Sequence, residues 1–145
     1  MLVMVREKKQ KQKIIFTTGK RRTAVAGAKL VLGTGKIFIN KTPFEIWGNE
    51  PLRLLVKEPL ILSGDLLKKV DIEVNVKGGG IVGQAEAARQ AIAKSLVEFS
   101  KDDNLKDLYM KYDRNLLVYD PRRNEPHKPS ASKRGARRHK QRSKR

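Results

Sequence analysis

The stretch from Asp71 to Ser100 constrains this chain more than any other. Ile72, Val74 and Val76 alternate with Asp71, Glu73, Asn75 and Lys77, the period-two pattern of a strand with one face buried. Gly78-Gly79-Gly80 follows at once, and beyond it the period changes. Ile81, Ala85, Ala88, Ile92, Ser95, Leu96 and Phe99 fall on one face at 3.6-residue spacing, which predicts a helix over residues 81–100. Its alanines (Ala85, Ala87, Ala88, Ala91, Ala93) favour helix and permit close approach to a sheet. A strand feeding such a helix implies a mixed α and β core.

The rest of the core reads in the same terms. Ala24, Ala26, Ala28, Leu30 and Leu32 alternate with Val25, Gly27, Lys29 and Val31, another strand. Gly33-Thr34-Gly35 is a turn signal, and Lys36-Ile37-Phe38-Ile39-Asn40 is a second short strand, so the two are expected to pair as a hairpin. Asn49 and Glu50 before Pro51 start a helix with Leu52, Leu55 and Val56 on one face, which Pro59 is expected to end. Asp102 or Asp103 caps a further helix with Leu105, Leu108, Tyr109 and Tyr112 on one face. Residues 116–119 read as a last strand, and Asp120-Pro121-Arg122-Arg123 closes the core.

Charge divides the chain along the same lines. The 145 residues carry a net +18, of which residues 1–22 hold +7, residues 23–120 hold +1 and residues 121–145 hold +10. An almost neutral core thus bears two basic arms. The last 25 residues contain two apolar side chains, Ala131 and Ala136, too few to offset the entropy of ordering them. That tail is expected to order only on a partner that neutralises it, and the charge points to a polyanion. The division expected is a basic extension over 1–13, a core over 14–120 and an extended basic tail over 121–145.

Several classes fall away. With no cysteine, disulfide frameworks, thiolate zinc sites and thiol nucleophiles are excluded. No apolar run reaches membrane-spanning length and no signal peptide is legible, so a cytoplasmic setting without a membrane partner is expected. His127 and His139 lie in the basic tail without a ligand set, so no metal is expected. No nucleophile–base arrangement or carboxylate pair stands out, and neither an enzyme nor a cofactor is expected.

Two motifs need weighing. Gly78-Gly79-Gly80-Ile81-Val82-Gly83 has the G-x-G-x-x-G form between strand and helix, where a dinucleotide phosphate can bind. In a dinucleotide-binding domain, however, this loop follows the first strand with several further units after it. A tight strand-to-helix turn is the plainer reading. An RNA phosphate met by the backbone of Gly78, Gly79, Gly80, Gly83 and Gln84 is an intermediate one. A phosphate loop of the G-K-[ST] kind is absent, since Gln84 follows Gly83 and Ile37 follows Lys36. Gly19-Lys20-Arg21-Arg22-Thr23 sets three consecutive cations at the mouth of a strand, a rigid mount for phosphate contact. The tail from Lys133 to Arg145 has eight cations and no acid in 13 residues. It is rich in arginine for bidentate phosphate contacts, and Gly, Ala and Ser between the cations let an extended chain thread a narrow space. Without an aromatic beyond Tyr119, the tail suits reading of backbone and shape.

Residues 78–96, Gly78-Gly79-Gly80-Ile81-Val82-Gly83-Gln84-Ala85-Glu86-Ala87-Ala88-Arg89-Gln90-Ala91-Ile92-Ala93-Lys94-Ser95-Leu96, resemble along their whole length the signature of the small-subunit ribosomal protein nine family. Gly19 to Ala26, Gly35 to Asn40, Asp120-Pro121-Arg122 and the ending Ser143-Lys144-Arg145 resemble other parts of that family in the same order. The similarity spans residues 14–145. Residues 125–132, with Pro126 and Pro129, look like the archaeal and eukaryotic branch.

The resemblance implies an α+β fold: a two-layer β-α-β domain like the second domain of small-subunit ribosomal protein five, with basic N- and C-terminal extensions. It also implies a left-handed crossover, against the general right-handed preference. The implied role is a structural constituent of the small-subunit head. The implied partners are small-subunit rRNA, peptidyl-site tRNA and neighbouring ribosomal proteins. Carried over, Lys20, Arg21, Arg22, Arg122, Arg123, Lys133, Arg134, Arg137, Arg138, Lys140 and Arg142 would hold rRNA. Ser143, Lys144 and Arg145 would touch the tRNA. From the residues alone, a nucleotide-using enzyme with a basic tail and a DNA-compacting protein remain as rival readings.

Overall fold

A computed structural model of the chain describes residues 14–129. The expectations placed on residues 1–13 and on Lys133, Arg134, Arg137, Arg138, Lys140, Arg142, Ser143, Lys144 and Arg145 lie outside the described residues. The architecture is α+β, a five-stranded sheet with three helices.

Strands β1 (Ile15–Arg21) and β2 (Ala24–Leu32) form an antiparallel hairpin. Short strands β3 (Ile37–Ile39) and β4 (Thr42–Pro43) lead through a 3-10 turn to helix α1 (Glu50–Ser63). A further 3-10 segment leads into β5 (Val70–Lys77), followed by α2 (Ile81–Ser100) and α3 (Asp103–Tyr112). The strand order is β1-β2-β5-β3-β4, with β5 antiparallel to β2 and parallel to β3. Parallel pairing of β3 and β5 requires a crossover, and α1 lies within it.

Alternation fixes which face of the sheet is dry. Ala24, Ala26, Ala28 and Leu30 of β2 and Val70, Ile72, Val74 and Val76 of β5 are buried with Ala85, Ala88, Ile92 and Leu96 of α2. Helix α2 is covered on more than one side, because α1 and α3 pack on it as well as the sheet. Its alanines bring it very close to β1: a Cβ on Gly19 would sit 2.1 Å from the Ala87 carbonyl oxygen. Among the described residues no helix lies over the opposite face of the sheet.

Four expectations need correction. Residues 24–32 and 36–40 do not pair as a hairpin, because β5 stands between them. The turn amides that a hairpin would aim at β2 are taken by the start of β5. Thr34 and Lys36 each donate to Asp71 Oδ1 at 2.8 Å, and Gly33 donates to the Lys69 carbonyl at 3.0 Å. The amides of Lys36, first, and of Thr34 and Gly35 also hold the Asp71 carboxyl below its usual pKa.

Pro59 does not end α1, which continues to Ser63. Val56, Pro59, Leu60 and Ser63 form a buried face, and Tyr109 donates its hydroxyl to the Pro59 carbonyl at 2.7 Å. Packing here outweighs the missing amide donor. Residues 116–119 are not a strand. Asp113 accepts from the Asn115 amide at 2.9 Å and starts a 3-10 turn over Arg114–Leu116, which Leu116 pins into the core. Among the described residues a single parallel bridge, Arg21 to Asp120, is the strand pairing that follows. On α3, Leu105 and Tyr109 are buried, but Leu108 and Tyr112 are exposed because the neighbouring elements cover only half of the expected face.

Candidate nucleic-acid interface

Three sequence-distant segments meet at one end of the sheet. They are the β1–β2 turn at Arg22 and Thr23, the glycine loop, and the chain leaving the core at Asp120. Arg22 and Thr23, the residues from Gly79 to Gly83, and Asn124 beyond Asp120 line a shallow hollow at the N-terminus of α2.

The glycines divide into two kinds. Gly78 and Gly79 have φ of +74° and +68° and press on the hairpin turn. A Cβ on Gly79 would lie 2.9 Å from the Ala24 amide nitrogen, and one on Gly78 would lie 2.7 Å from the Thr23 carbonyl oxygen. Their absence of side chain is therefore spent on packing. Gly80 faces open space at the N-cap of α2, and no side chain caps that helix. Its first turn holds no acid, and Ile81 and Val82 are exposed. Gln84 folds back, donating from Nε2 to the Gly78 carbonyl at 3.1 Å. Of the five residues expected to form a phosphate-approach loop, Gly80 is the one at which an added Cβ would meet nothing within 4 Å among the described residues, while Gly83 is in ordinary contact with Ala24 and Arg21 at 3.6 Å.

The three consecutive cations also separate. Arg21 points inward, its side chain 18% exposed and its guanidinium set between Glu86 of α2 and Asp120. It pairs with Glu86, and its Nη1 lies 2.7 Å from Asp120 Oδ2. Asp120 also accepts from Arg122: the amide at 3.0 Å, Nε at 3.0 Å and Nη2 at 2.6 Å. These Arg122 bonds, helped by the Arg21 charge, hold the Asp120 carboxyl well below the usual carboxylate range. The result is a latch that ties the root of the tail to β1 and α2. Arg123 extends beyond it, its Nε 3.4 Å from the Tyr119 hydroxyl.

Lys20 and Arg22 are exposed, as is Lys77 at the end of β5. Among the described residues none of these three takes part in an ion pair. Lys20 and Lys77 flank Val25 in register on either side of β2. Lys94 of α2 adds a cation beside β1, donating to the Thr18 carbonyl at 3.1 Å. Burial, and then the charge of Lys20, pushes its ammonium pKa down.

Sequence reasoning missed Lys77 and Lys94, which become neighbours of Lys20 only through the sheet order and the seat of α2. It also missed Arg89, buried on α2 and paired with Glu58 of α1 and, at 2.8 Å, with Asp113. That group ties three elements together and contributes no free charge. Neither pairing has a local signature, since both partners are far from Arg89 in the chain.

Comparison with known proteins gives a consistent answer. The family model for ribosomal protein S9/S16 matches residues 19–145. Small ribosomal subunit protein uS9 of Methanococcus vannielii is 48% identical over 131 residues, covering 90% of this chain and 98% of that protein. The proteins of the same name from Methanococcus maripaludis strains S2 and C7 match with the same identity and coverage.

Proposed function

The chain belongs to the ribosomal protein S9/S16 family, and on that premise we propose that it is a structural component of the small ribosomal subunit that holds the subunit's rRNA and reaches peptidyl-site tRNA with its tail. Neighbouring ribosomal proteins of the head complete its surroundings. The observation that carries this reading is that Lys20, Arg22 and Lys77, exposed at one end of the sheet, make no ion pair among the described residues, with Arg22 lining the hollow at the uncapped start of α2. Cations left unpaired on a rigid end of a sheet suit a phosphate backbone better than a compact ligand.

The roles then divide. Lys20, Arg22 and Arg123 meet rRNA phosphates, with the amides after Gly80 as a further anion contact. Arg21 and Arg122 act one step removed, fixing where the tail begins. Lys133, Arg134, Arg137, Arg138, Lys140 and Arg142 continue the rRNA contact, and Ser143, Lys144 and Arg145 meet the tRNA. Residues 1–13 serve as a basic extension, 14–120 as the anchoring core and 121–145 as the reaching tail. The crossover from β3 through α1 to β5 is left-handed in this reading, as in the second domain of ribosomal protein five.

The nucleotide-enzyme reading loses its ground, because Gly78 and Gly79 are accounted for by the hairpin they touch. Truncation after Arg142 tests the proposal. Small subunits reconstituted with the shortened chain are expected to incorporate it normally and to bind peptidyl-site tRNA more weakly in filter binding. Unchanged tRNA affinity would remove the tail from the account.

A further inference from the structure

The helices cover one face of the sheet, and the other face carries features that packing does not explain. Phe16 is 70% exposed there, and Phe38 and Val25 are also open. Lys20 and Lys77 lie in one cross-strand row with Val25, and Lys29 lies in another between Phe16 and Glu73. Among the described residues, Lys20, Lys29 and Lys77 make no ion pair. The two acids on this face, Asp71 and Glu73, lie toward β3, and Asp71 is already engaged by turn amides. The part of the face made by β1, β2 and the end of β5 is therefore cationic.

Gly27 lies between these rows, paired with Thr18 and Asn75. Its φ is not positive, and a Cβ built on it meets nothing within 4 Å. Among the described residues neither backbone conformation nor packing asks for glycine here, and glycine weakens a strand. A strand of nucleic acid passing close to the backbone would account for it.

We propose that the open β1–β2 face of the sheet receives an unpaired stretch of the same rRNA, its phosphates on Lys20, Lys29 and Lys77, a base stacked on Phe16, and the strand passing closest at Gly27. The proposal rests on the rRNA-binding reading above and extends it from the sheet's end to its face. An exposed aromatic beside cations is how a sheet holds single-stranded RNA without reading its sequence. Strand spacing sets the Lys20 and Lys77 backbones roughly 10 Å apart, and the row of Phe16 lies roughly 14 Å further along β1. That is a platform for a few nucleotides.

The test uses the full chain and a small-subunit rRNA transcript. Gly27→Val adds a strand-forming side chain into open space, so its melting temperature should match or exceed that of the wild type. Its affinity for the transcript should fall about tenfold. Phe16→Ala, at an exposed position, should fold normally and lose about fivefold to a hundredfold, the range for one stacked base. Both losses with unchanged melting temperatures support the proposal. If the wild type binds the transcript and both variants bind equally well, the face is not an RNA surface, while the broader reading stands. Variants that keep the transcript but fail to join the reconstituted subunit would assign the face to a protein neighbour and overturn the proposal. A wild type that does not bind at all would remove both.

Discussion

Asp120 shows how much one side chain can decide here. It accepts from Arg21 on β1 and from Arg122 on the tail, and its side chain is 10% exposed. Its carboxyl titrates well below the ordinary carboxylate range because both partners favour the charged form. A folded pKa below the unfolded one contributes stability that is fully present above about pH 4, the unfolded value. It is lost as pH falls from there through the folded value. Asp120→Asn should therefore melt at a lower temperature than wild type at pH 7, with the gap closing toward about pH 2. Circular dichroism melts across that range check it, and a gap that persists unchanged in acid would contradict the latch. The sequence marked Arg21 as a phosphate cation. Only the fold, which brings residue 120 beside residue 21, reveals that its charge is already held.

At the level of elements, the strong periodic signals translated directly. Residues 71–77 lie within β5, and the helix predicted over 81–100 is α2 with the same bounds. The capping role foreseen for Asp102 is also present, since its side chain accepts from the Asn104 amide at 3.0 Å. What failed depended on distant partners. Strand β2 pairs with β5 because Asp71 captures the turn at residues 33–36, a contact invisible to local pattern. Pro59 stays inside α1 because α3 and α2 bury it. Strand β1 went unread because Ile15 and Phe16 lead into polar residues whose burial comes from α2, such as Thr17, which donates to the Ala91 carbonyl at 2.8 Å. The glycine loop gives this scale its prediction. Gly79→Ala puts a methyl group against Ala24 at a positive φ and should destabilise the protein by about 1–3 kcal/mol in urea denaturation. Gly80→Ala, where the space is open, should cost well under about 1 kcal/mol. Equal costs at both positions would contradict the packing role assigned to the loop.

For the whole molecule, the uneven charge is the fact that organises function. Residues 1–13 and 121–145 hold +4 and +10 around a core, 14–120, of net +4, and three of the core's cations, Lys20, Arg21 and Arg22, sit at the end of β1 and the turn after it. The core fixes Lys20, Arg22 and Lys77, which make no ion pair among the described residues, and a latched tail root at one end of a sheet, and the arms carry most of the charge. Such a chain should bind rRNA by releasing counterions, with log K falling steeply against log salt. Each phosphate-contacting cation accounts for about 0.7–0.9 of the slope. The most direct measurement is the affinity of the full chain for small-subunit rRNA over a salt series, with wild type and a Lys20→Ala, Arg22→Ala, Lys77→Ala triple variant in parallel. The account predicts a steep negative slope for wild type, and one shallower by about 2 to 3 for the variant. A flat salt dependence, or a variant slope equal to the wild type's, would contradict the claim that this end of the core holds the RNA.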